Sequence, residues 1–416
     1  METRCTPEFL ATPEGREADA ILRTCVHCGF CNATCPTYQL LGDELDGPRG
    51  RIYLIKQVLE GAPVTAKTQL HLDRCLTCRN CETTCPSGVQ YGRLVDIGRS
   101  VVEARVGRTP ADAATRWSLR RALLAKPLFA SALALGRMVK SMLPRELGDR
   151  IPSSARAGGA WPAPRHAREL LLIEGCVQPA LAPNIDAAAA RVFDCIGISA
   201  LRVPGGGCCG ALSHHLTADE EARQLVRRNI DAWWPHVERG IEAVVMTASG
   251  CGVMVKDYGH FMERDPVYAA KAAKIGELAR DPIEIIAQEW KRVAPTLAME
   301  RDATRVAFHP PCTLQHGMKI RGLVEEVLLA LGHSLVPVPD AHLCCGSAGT
   351  YSILQPELAG QLKDNKLRAL ESGHPAVIAT ANIGCATHLA SGTTIPVVHW
   401  VELLDQRMLR GARLAR

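Results

Sequence analysis

Aromatic residues and net charge are both scarce in this sequence of 416 residues. Phe, Trp and Tyr make up 4% of the chain, too few for the stacking surfaces of single-strand nucleic-acid binders. The formal net charge is only +5, so a basic nucleic-acid-binding face is not indicated. The composition also excludes collagen, a coiled coil and bulk disorder. Hydrophobic residues, at 47%, are enough for the packed cores of about three domains.

Several targeting and nucleotide-binding motifs are missing as well. Residues 1–20 contain acidic residues and no apolar run, so we expect no signal peptide and a cytoplasmic protein. The most apolar helical stretch, Pro127–Gly136, is shorter than the ~20 residues that cross a bilayer. We find no P-loop and no G-x-G-x-x-G between a strand and a helix. The sequence therefore predicts no catalytic residues and no flavin or NAD site in this chain.

Cysteine, in contrast, is abundant, with 18 residues. A disulfide framework and metal ligation both explain such a number, but disulfide-dense proteins are usually small and secreted. We therefore predict reduced cysteines that mostly hold metal. Their distribution suggests four segments: a cluster-binding domain (1–103), a basic helical segment with a linker (104–168), and two repeat domains (169–300 and 301–416).

Two runs in the first segment have the same cysteine spacing. They are Cys25-x2-Cys28-x2-Cys31-x3-Cys35-Pro and Cys75-x2-Cys78-x2-Cys81-x3-Cys85-Pro. Bacterial two-cluster ferredoxins carry this run, and the fourth cysteine of each run binds the other cluster. We therefore predict two [4Fe–4S] clusters, with zinc as the weaker alternative. The first set of ligands is Cys25, Cys28, Cys31 and Cys85, and the second set is Cys35, Cys75, Cys78 and Cys81.

The C-terminal half contains an internal repeat. Adding 136 to the numbers of Cys176, Cys208, Cys209 and Asn229 gives Cys312, Cys344, Cys345 and Asn365, and Cys251 corresponds to Cys385 with a shift of 134. Each copy has continuous apolar runs, such as Leu170–Ile173 and Val306–Phe308, which indicate buried parallel strands alternating with helices. Because ligands bind at the carboxyl edge of such sheets, we expect the cysteines of each copy to converge there.

Two interpretations of the repeat cysteines stay open. In the first, each copy holds a further metal centre: Cys176, Cys208, Cys209 and Cys251 in one, Cys312, Cys344, Cys345 and Cys385 in the other. In the second, these thiols are structural and bind no metal. The neighbouring histidines are weaker candidates to tune or replace a ligand; they are His214, His215, His309, His316 and His388.

Three further features lie outside these sets. We expect Cys5 to be a free surface thiol in a polar tail, and Cys195 to fill a core as a small hydrophobe. The segment from Arg116 to Arg145 has basic residues and no acidic ones. It is either a helix that touches anionic lipid or a partner, or an ordinary solvated helix. Residues 152–164 are typical of a linker.

The cysteine motifs resemble the family of glycolate oxidase iron–sulfur subunits. The resemblance rests on Cys25–Tyr38, Gly42–Arg51, Asp73–Pro86, Asn229–Trp234, Thr247–Gly252 and His342–Tyr351. It implies an α+β multidomain fold: a helical two-cluster [4Fe–4S] ferredoxin domain followed by two α/β CCG (cysteine-rich) repeats. The repeats also resemble a heterodisulfide reductase subunit with noncubane clusters. Its closing C-x-x-C is lost here, because Met254 and His388 stand at the final position.

The resemblance also implies partners. A FAD-containing subunit would oxidise glycolate to glyoxylate, a second flavin-binding-type subunit would complete the complex, and electrons would leave through this chain to the respiratory chain, with quinone as the expected acceptor. Peripheral contact with the cytoplasmic face of the inner membrane stays open. The alternatives are the equivalent subunit of a glycerol-3-phosphate or lactate dehydrogenase, a CCG-type thiol–disulfide reductase, and an assembly scaffold.

Overall fold

The computed structural model describes residues 1–142, 157–293 and 303–414, and it separates into two compact units. Unit 1 comprises Met1–Trp117, His215–Thr217 and His342–Lys366. Unit 2 comprises Ser118–His214, Ala218–Ala341 and Leu367–Arg416. Arg145 of the basic segment and residues 152–156 of the expected linker lie outside the described residues.

Unit 1 is built from short helices. Four of them begin at a proline, a residue that suits the first helical position because it lacks the N–H that would be left unpaired there. The helices are Pro7–Ala11, Pro13–Thr24, Phe30–Ala33, Pro36–Leu41, Pro48–Leu59, Ala66–Asp73, Asn80–Thr84, Tyr91–Val106 and Tyr351–Leu354, with a 3-10 turn at Glu44–Asp46. The helical character expected for this domain is thereby confirmed.

Helices Pro48–Leu59 and Tyr91–Val106 form a large part of the core of unit 1. Ile55 and Leu59 of one helix and Leu94 of the other are fully buried. The helices approach closely at Gly98, where an added Cβ would lie 2.6 Å from Cγ1 of Ile55. The segment His342–Lys366 contacts the N-terminal helices of unit 1, because the hydroxyl of Tyr351 donates to the carbonyl of Arg74 at 3.2 Å.

Unit 2 contains two four-stranded parallel sheets of identical topology. Their strand orders are β2-β1-β3-β4 and β6-β5-β7-β8, so the second sheet repeats the first with a shift of four strands. The strands are β1 Arg168–Leu172, β2 Ile198–Leu201, β3 Val244–Val245, β4 Ala279–Arg280, β5 Arg305–His309, β6 Ser334–Leu335, β7 Val377–Thr380 and β8 Val397–His399. The internal repeat and the α+β class are therefore confirmed, and the apolar runs mark the central strands within one or two residues.

Helices cover these sheets. Two helices, Pro110–Leu124 and Pro356–Glu371, continue from unit 1 into unit 2. The others in unit 2 are Lys126–Val139, Gln178–Leu181, Asn184–Cys195, Ala211–His215, Asp219–Glu238, Ser249–Lys256, Tyr258–Phe261, Ala269–Leu278, Pro282–Val293, Leu323–Ala330, Ile383–Ala390 and Trp400–Leu414, with a 3-10 turn at Lys140–Met142 and a π-helical turn at Thr313–Gly317.

The two repeats share one hydrophobic core. Apolar residues of both sheets, from Leu170 to Met408, belong to a single buried cluster. Polar contacts also join the copies: Arg191 pairs with the buried Asp405 at 2.7 Å, and the hydroxyls of Ser249 and Thr313 lie 2.7 Å apart. The second copy therefore stabilises the elements that carry the cysteines of the first.

Candidate metal centres

The first set of predicted ligands surrounds one cavity in unit 1. Cys25, Cys28, Cys31 and Cys85 all line it. The backbone between Cys25 and Cys31 folds tightly, with positive φ at His27 (59°) and Gly29 (85°). The amide of His27 donates to Cys25 Sγ at 3.4 Å. A chain that curls in this way aims several thiols at one point.

The second set surrounds a second cavity in the same unit. Cys35, Cys75, Cys78 and Cys81 line it. Its loop repeats the first with a shift of 50 residues: φ is positive at Thr77 and Arg79, and the Thr77 amide donates to Cys75 Sγ at 3.4 Å. The second cavity thus takes three thiols from one run and the fourth from the other. The first cavity is lined by its four predicted ligands and also by Cys81, so the division of the thiols into two ligand sets stays a prediction.

These thiols are costly to ionise without a metal. Burial raises the pKa of Cys31 to about 11, and burial holds the pKa of Cys81 well above its usual range. A bound cation offsets this cost, since thiolates are the ligands that iron–sulfur clusters use. Each cavity therefore offers enough thiols, at least four, to hold an iron–sulfur cluster.

The four cysteines of the first repeat also meet, in unit 2. Cys176 follows β1, the Cys208–Cys209 pair follows β2, and Cys251 lies in the first turn of the helix after β3. Cys176, Cys209 and Cys251 line one cavity, and Cys208 is hydrogen-bonded to the thiols of Cys176 and Cys209. They meet because parallel strands end at the same edge of the sheet.

A buried amide holds the loop that carries the cysteine pair. Asn229 Oδ1 accepts from the amide of Gly207 at 2.8 Å, and its Nδ2 donates to the carbonyl of Cys208 at 2.8 Å. The hydroxyl of Tyr258 donates to the carbonyl of Cys209 at 2.9 Å. Both Asn229 and Tyr258 are fully buried, so these contacts fix the backbone of the pair.

Hydrogen bonds in this site favour the thiolate of Cys208. Hydrogen bonds from Cys176 and Cys209, followed by backbone amides, hold the pKa of Cys208 well below its usual range. The hydrogen bond to Cys208, together with burial, raises the pKa of Cys176. Hydrogen bonds to Cys208 and Cys251 raise the pKa of Cys209. Such a site can bind a soft metal or serve as a reactive thiol group.

The cysteines of the second repeat are all buried, and they belong to different units. Cys344 and Cys345 lie in unit 1, and Cys312 and Cys385 lie in unit 2. Within unit 2, a ring nitrogen of His309 lies within 4.8 Å of Cys385 Sγ. A shared centre for these four cysteines stays a prediction.

The other candidate histidines lie in varied surroundings. His214 bonds to Asp219 at 2.7 Å, and the buried His316 lies 3.4 Å from a guanidinium nitrogen of Arg321. His215 is exposed, and His388 lies in helix Ile383–Ala390. Their roles as ligands stay predictions.

Comparisons with known proteins identify the domains that contain these cysteines. A model of a 4Fe-4S dicluster domain matches residues 21–89, and a model of a cysteine-rich domain matches residues 170–256 and 306–390. The glycolate oxidase iron–sulfur subunit of Escherichia coli (strain K12) is 53% identical over 408 residues, covering 98% of this chain and 99% of that protein. This chain belongs to the family of glycolate oxidase iron–sulfur subunits.

More distant relatives are named either as a glycolate oxidase iron–sulfur subunit or as a lactate utilization protein. The probable glycolate oxidase iron–sulfur subunit of Bacillus subtilis (strain 168) is 26% identical over 419 residues, 92% of this chain and 93% of that protein. Lactate utilization protein A of the same organism is 24% identical over 243 residues, 56% of this chain and 97% of that protein. The matched domain ranges contain every cysteine of the two ferredoxin runs and of both repeats.

Two expectations about the remaining cysteines were wrong. Cys5 is buried in the core of unit 1, with Sγ 3.4 Å from Asp19, because the N-terminal segment packs on the helices. Cys195 is exposed, because its helix ends there and the following residue, Ile196, takes the buried position.

The basic segment forms helices with several exposed apolar side chains, among them Leu128 and Met138. No single helix in the described residues is long and apolar enough to span a membrane. Helices Pro110–Leu124 and Lys126–Met142, bent by 95°, qualify only as a pair and only on length and composition.

Several polar residues beside the cysteines were not found from sequence. Thr37, Arg51 and Tyr91 adjoin the second cavity, and Gln178 lines the cavity of the first repeat. Thr37 and Arg51 lie in sequence segments that resemble this family, and we found no other feature of the sequence that pointed to them. Gln178 bonds to the buried Asp186, and no motif along the chain indicated this contact.

Proposed function

We propose that this chain relays electrons in a glycolate-oxidising complex. A FAD-containing subunit would oxidise glycolate to glyoxylate, a second flavin-binding-type subunit would complete the complex, and the electrons would pass through this chain to a respiratory acceptor, a quinone. The observation that carries the proposal is the pair of cavities in unit 1, each lined by four predicted ligands. Family membership supports the choice of glycolate.

The proposed ligands are the two sets named above. Cys25, Cys28, Cys31 and Cys85 would hold one [4Fe–4S] cluster, and Cys35, Cys75, Cys78 and Cys81 the other. When bound, each cluster supplies one-electron redox chemistry. We further propose that Cys176, Cys208, Cys209 and Cys251 hold an additional centre, since their thiols converge.

The first site is the more accessible of the two. Cys28 is exposed, and its neighbours Val26 and Phe30 are 66% and 61% exposed. Cys35 and Cys81 of the second set are buried. Electron transfer requires close approach, so the accessible site suits exchange with a partner subunit.

Metal analysis of the anaerobically purified chain tests the cofactor content. About eight irons with matching acid-labile sulfide, four per cubane cluster, would mean that only unit 1 is loaded. About sixteen would mean that the repeats bind clusters too. Zinc without iron would refute the relay.

Ligand variants test the relay itself. In the assembled complex, Cys28→Ser and Cys78→Ser should leave flavin reduction by glycolate intact and reduce electron exit to the acceptor at least tenfold, because each removes a proposed ligand. Cys195→Ser, at an exposed cysteine outside both sets, is the matched control. Normal electron exit in both ligand variants would contradict the proposal.

The substrate and the location require separate tests. Co-purification with a glycolate-active flavoprotein would support the assignment. Co-purification with a lactate- or glycerol-3-phosphate-oxidising partner would move this chain to an equivalent complex. We place the complex at the cytoplasmic face of the inner membrane, which fractionation of cells would test.

A thiol–disulfide reductase is the second candidate function. It is favoured by the stabilised thiolate of Cys208 among neighbouring thiols. This function predicts that the chain, purified without its partners, turns over a disulfide substrate and that Cys208→Ser abolishes the turnover. No turnover by the intact chain would exclude it.

A further inference from the structure

The second cavity has a hydroxyl donor close to one of its thiols. The Tyr91 hydroxyl donates to Cys75 Sγ at 3.6 Å, and Tyr91 is buried. A phenol ordinarily keeps its proton near neutral pH, so the oxygen acts as the donor. Tyr91 lines both cavities of unit 1, yet its described hydrogen bond is to the second set.

A buried guanidinium adjoins the same set. Arg51 is 1% exposed and donates to Thr37 Oγ1 at 3.2 Å, and that oxygen lies 3.3 Å from Cys35 Sγ. Arg51 is 3.4 Å from Asp46, which also pairs with Arg74 at 2.8 Å. Arg51 thus brings a buried guanidinium to within one hydroxyl of the Cys35 thiol.

The surroundings of the first set differ. Both sets receive the same kind of backbone amide bond, from His27 and from Thr77. Among the hydrogen bonds described for residues 1–142, no side-chain hydroxyl reaches a thiol of the first set. The nearby Arg49 is one-third exposed and pairs with Glu44, so its charge is both screened and balanced. The Met1 amino group donates to the Cys25 carbonyl, so the first set has one positive charge nearby but no described hydroxyl hydrogen bond to a thiol.

Hydrogen bonds to the sulfurs and nearby positive charge stabilise the reduced, more negative form of a cluster. We propose that Tyr91 and Arg51 raise the reduction potential of the second cluster and make it the electron-accepting member of the pair. An electron arriving from the accessible first site would then reside at the buried site, with no proton transfer from Tyr91. This inference rests on the proposed function, because it needs both clusters.

Redox titration of the full-length chain, purified anaerobically and followed by EPR, tests the inference. Tyr91→Phe should shift the reduction equilibrium of one cluster five- to tenfold toward the oxidised form, about 40–60 mV for a one-electron couple. The signal of the other cluster should move less than twofold. Cys78→Ser identifies the shifted signal, since it removes a ligand of the second set.

Tyr53→Phe is the matched control, because Tyr53 is 46% exposed and its ring lies 6.0 Å from that of His27 in the first loop. Arg51→Lys, which keeps the charge and loses the planar fork, should give a smaller shift in the same direction as Tyr91→Phe. Two signals that Tyr91→Phe leaves unmoved, or moves equally, would overturn the inference alone. A wild-type chain without cluster signals would overturn the proposed function as well.

Discussion

Asp186 is a buried carboxyl next to the cavity of the first repeat, and it makes unit 2 sensitive to pH. It is 1% exposed. Its Oδ1 accepts from Gln178 at 2.7 Å and from Thr247 at 2.6 Å, while Oδ2 has no hydrogen-bond partner among the described residues. Burial raises the pKa of Asp186 from 3.8 to about 7 against the opposing hydrogen bonds; Glu174 raises it further and Arg202 lowers it.

The raised pKa of Asp186 determines how the stability of unit 2 changes with pH. Because the native carboxyl holds its proton more tightly than the unfolded one, stability falls as pH rises from about 4 to about 7 and then stays low. A shift of this size corresponds to about 4 kcal/mol when complete, and to about 2 kcal/mol near pH 5. Asp186→Asn keeps the shape and removes the ionisation, so the pH-dependent part of this loss should disappear.

Urea unfolding of wild type and Asp186→Asn under anaerobic conditions measures the effect. Tryptophan fluorescence reports mainly on unit 2, since every tryptophan except Trp117 belongs to it. Between about pH 5 and pH 8, the variant should gain about 2 kcal/mol relative to wild type. Asp231→Asn, at an exposed position of the same unit, should show no such change. A constant difference between wild type and Asp186→Asn over this range would refute the reasoning.

Further substitutions test how the cysteine loops are held. Asn229→Leu should lower the unfolding free energy by about 2–4 kcal/mol, since it leaves buried loop groups without partners; urea unfolding measures this, and a loss under 1 kcal/mol would contradict it. Gly346→Ala should lower the melting temperature more than Gly210→Ala does. Both glycines have positive φ, but the added Cβ would lie 2.7 Å from the Ala359 carbonyl oxygen at Gly346 and 3.3 Å from the Ala222 carbonyl oxygen at Gly210. Equal shifts in melting temperature would count against this ranking.

Much of the cysteine arrangement could be predicted because it depends on local spacing. Two residues between successive cysteines bring three thiols of one run around one point, and positive φ at Arg79 and Gly29 completes the turn. The strands of the repeats could be predicted for a similar reason. Runs such as Leu170–Leu172 are buried on both faces, so they contain no alternating polar residues.

The positions of Cys5 and Cys195 could not be predicted in this way. Both depend on what packs against the segment and not on the segment itself. A polar tail suggested a surface thiol, yet Cys5 packs in the core of unit 1 with Phe9. An apolar helix suggested a buried thiol, yet Cys195 is the last residue of that helix.

The polar groups beside the cysteine sites were hidden for a further reason: their partners come from distant segments. Arg51 meets the carbonyl of His71, and Asp186 meets Thr247, and no pattern along the chain links these positions. Burying such groups is costly unless they are paired. Arg51 and Asp186, with their partners, lie next to the cysteine-lined cavities. Charge and hydrogen bonds at these points act directly on the sulfur atoms or on their neighbours. A relay needs its sites to differ in electron affinity, and residues outside the cysteine motifs are the ones that can supply the difference.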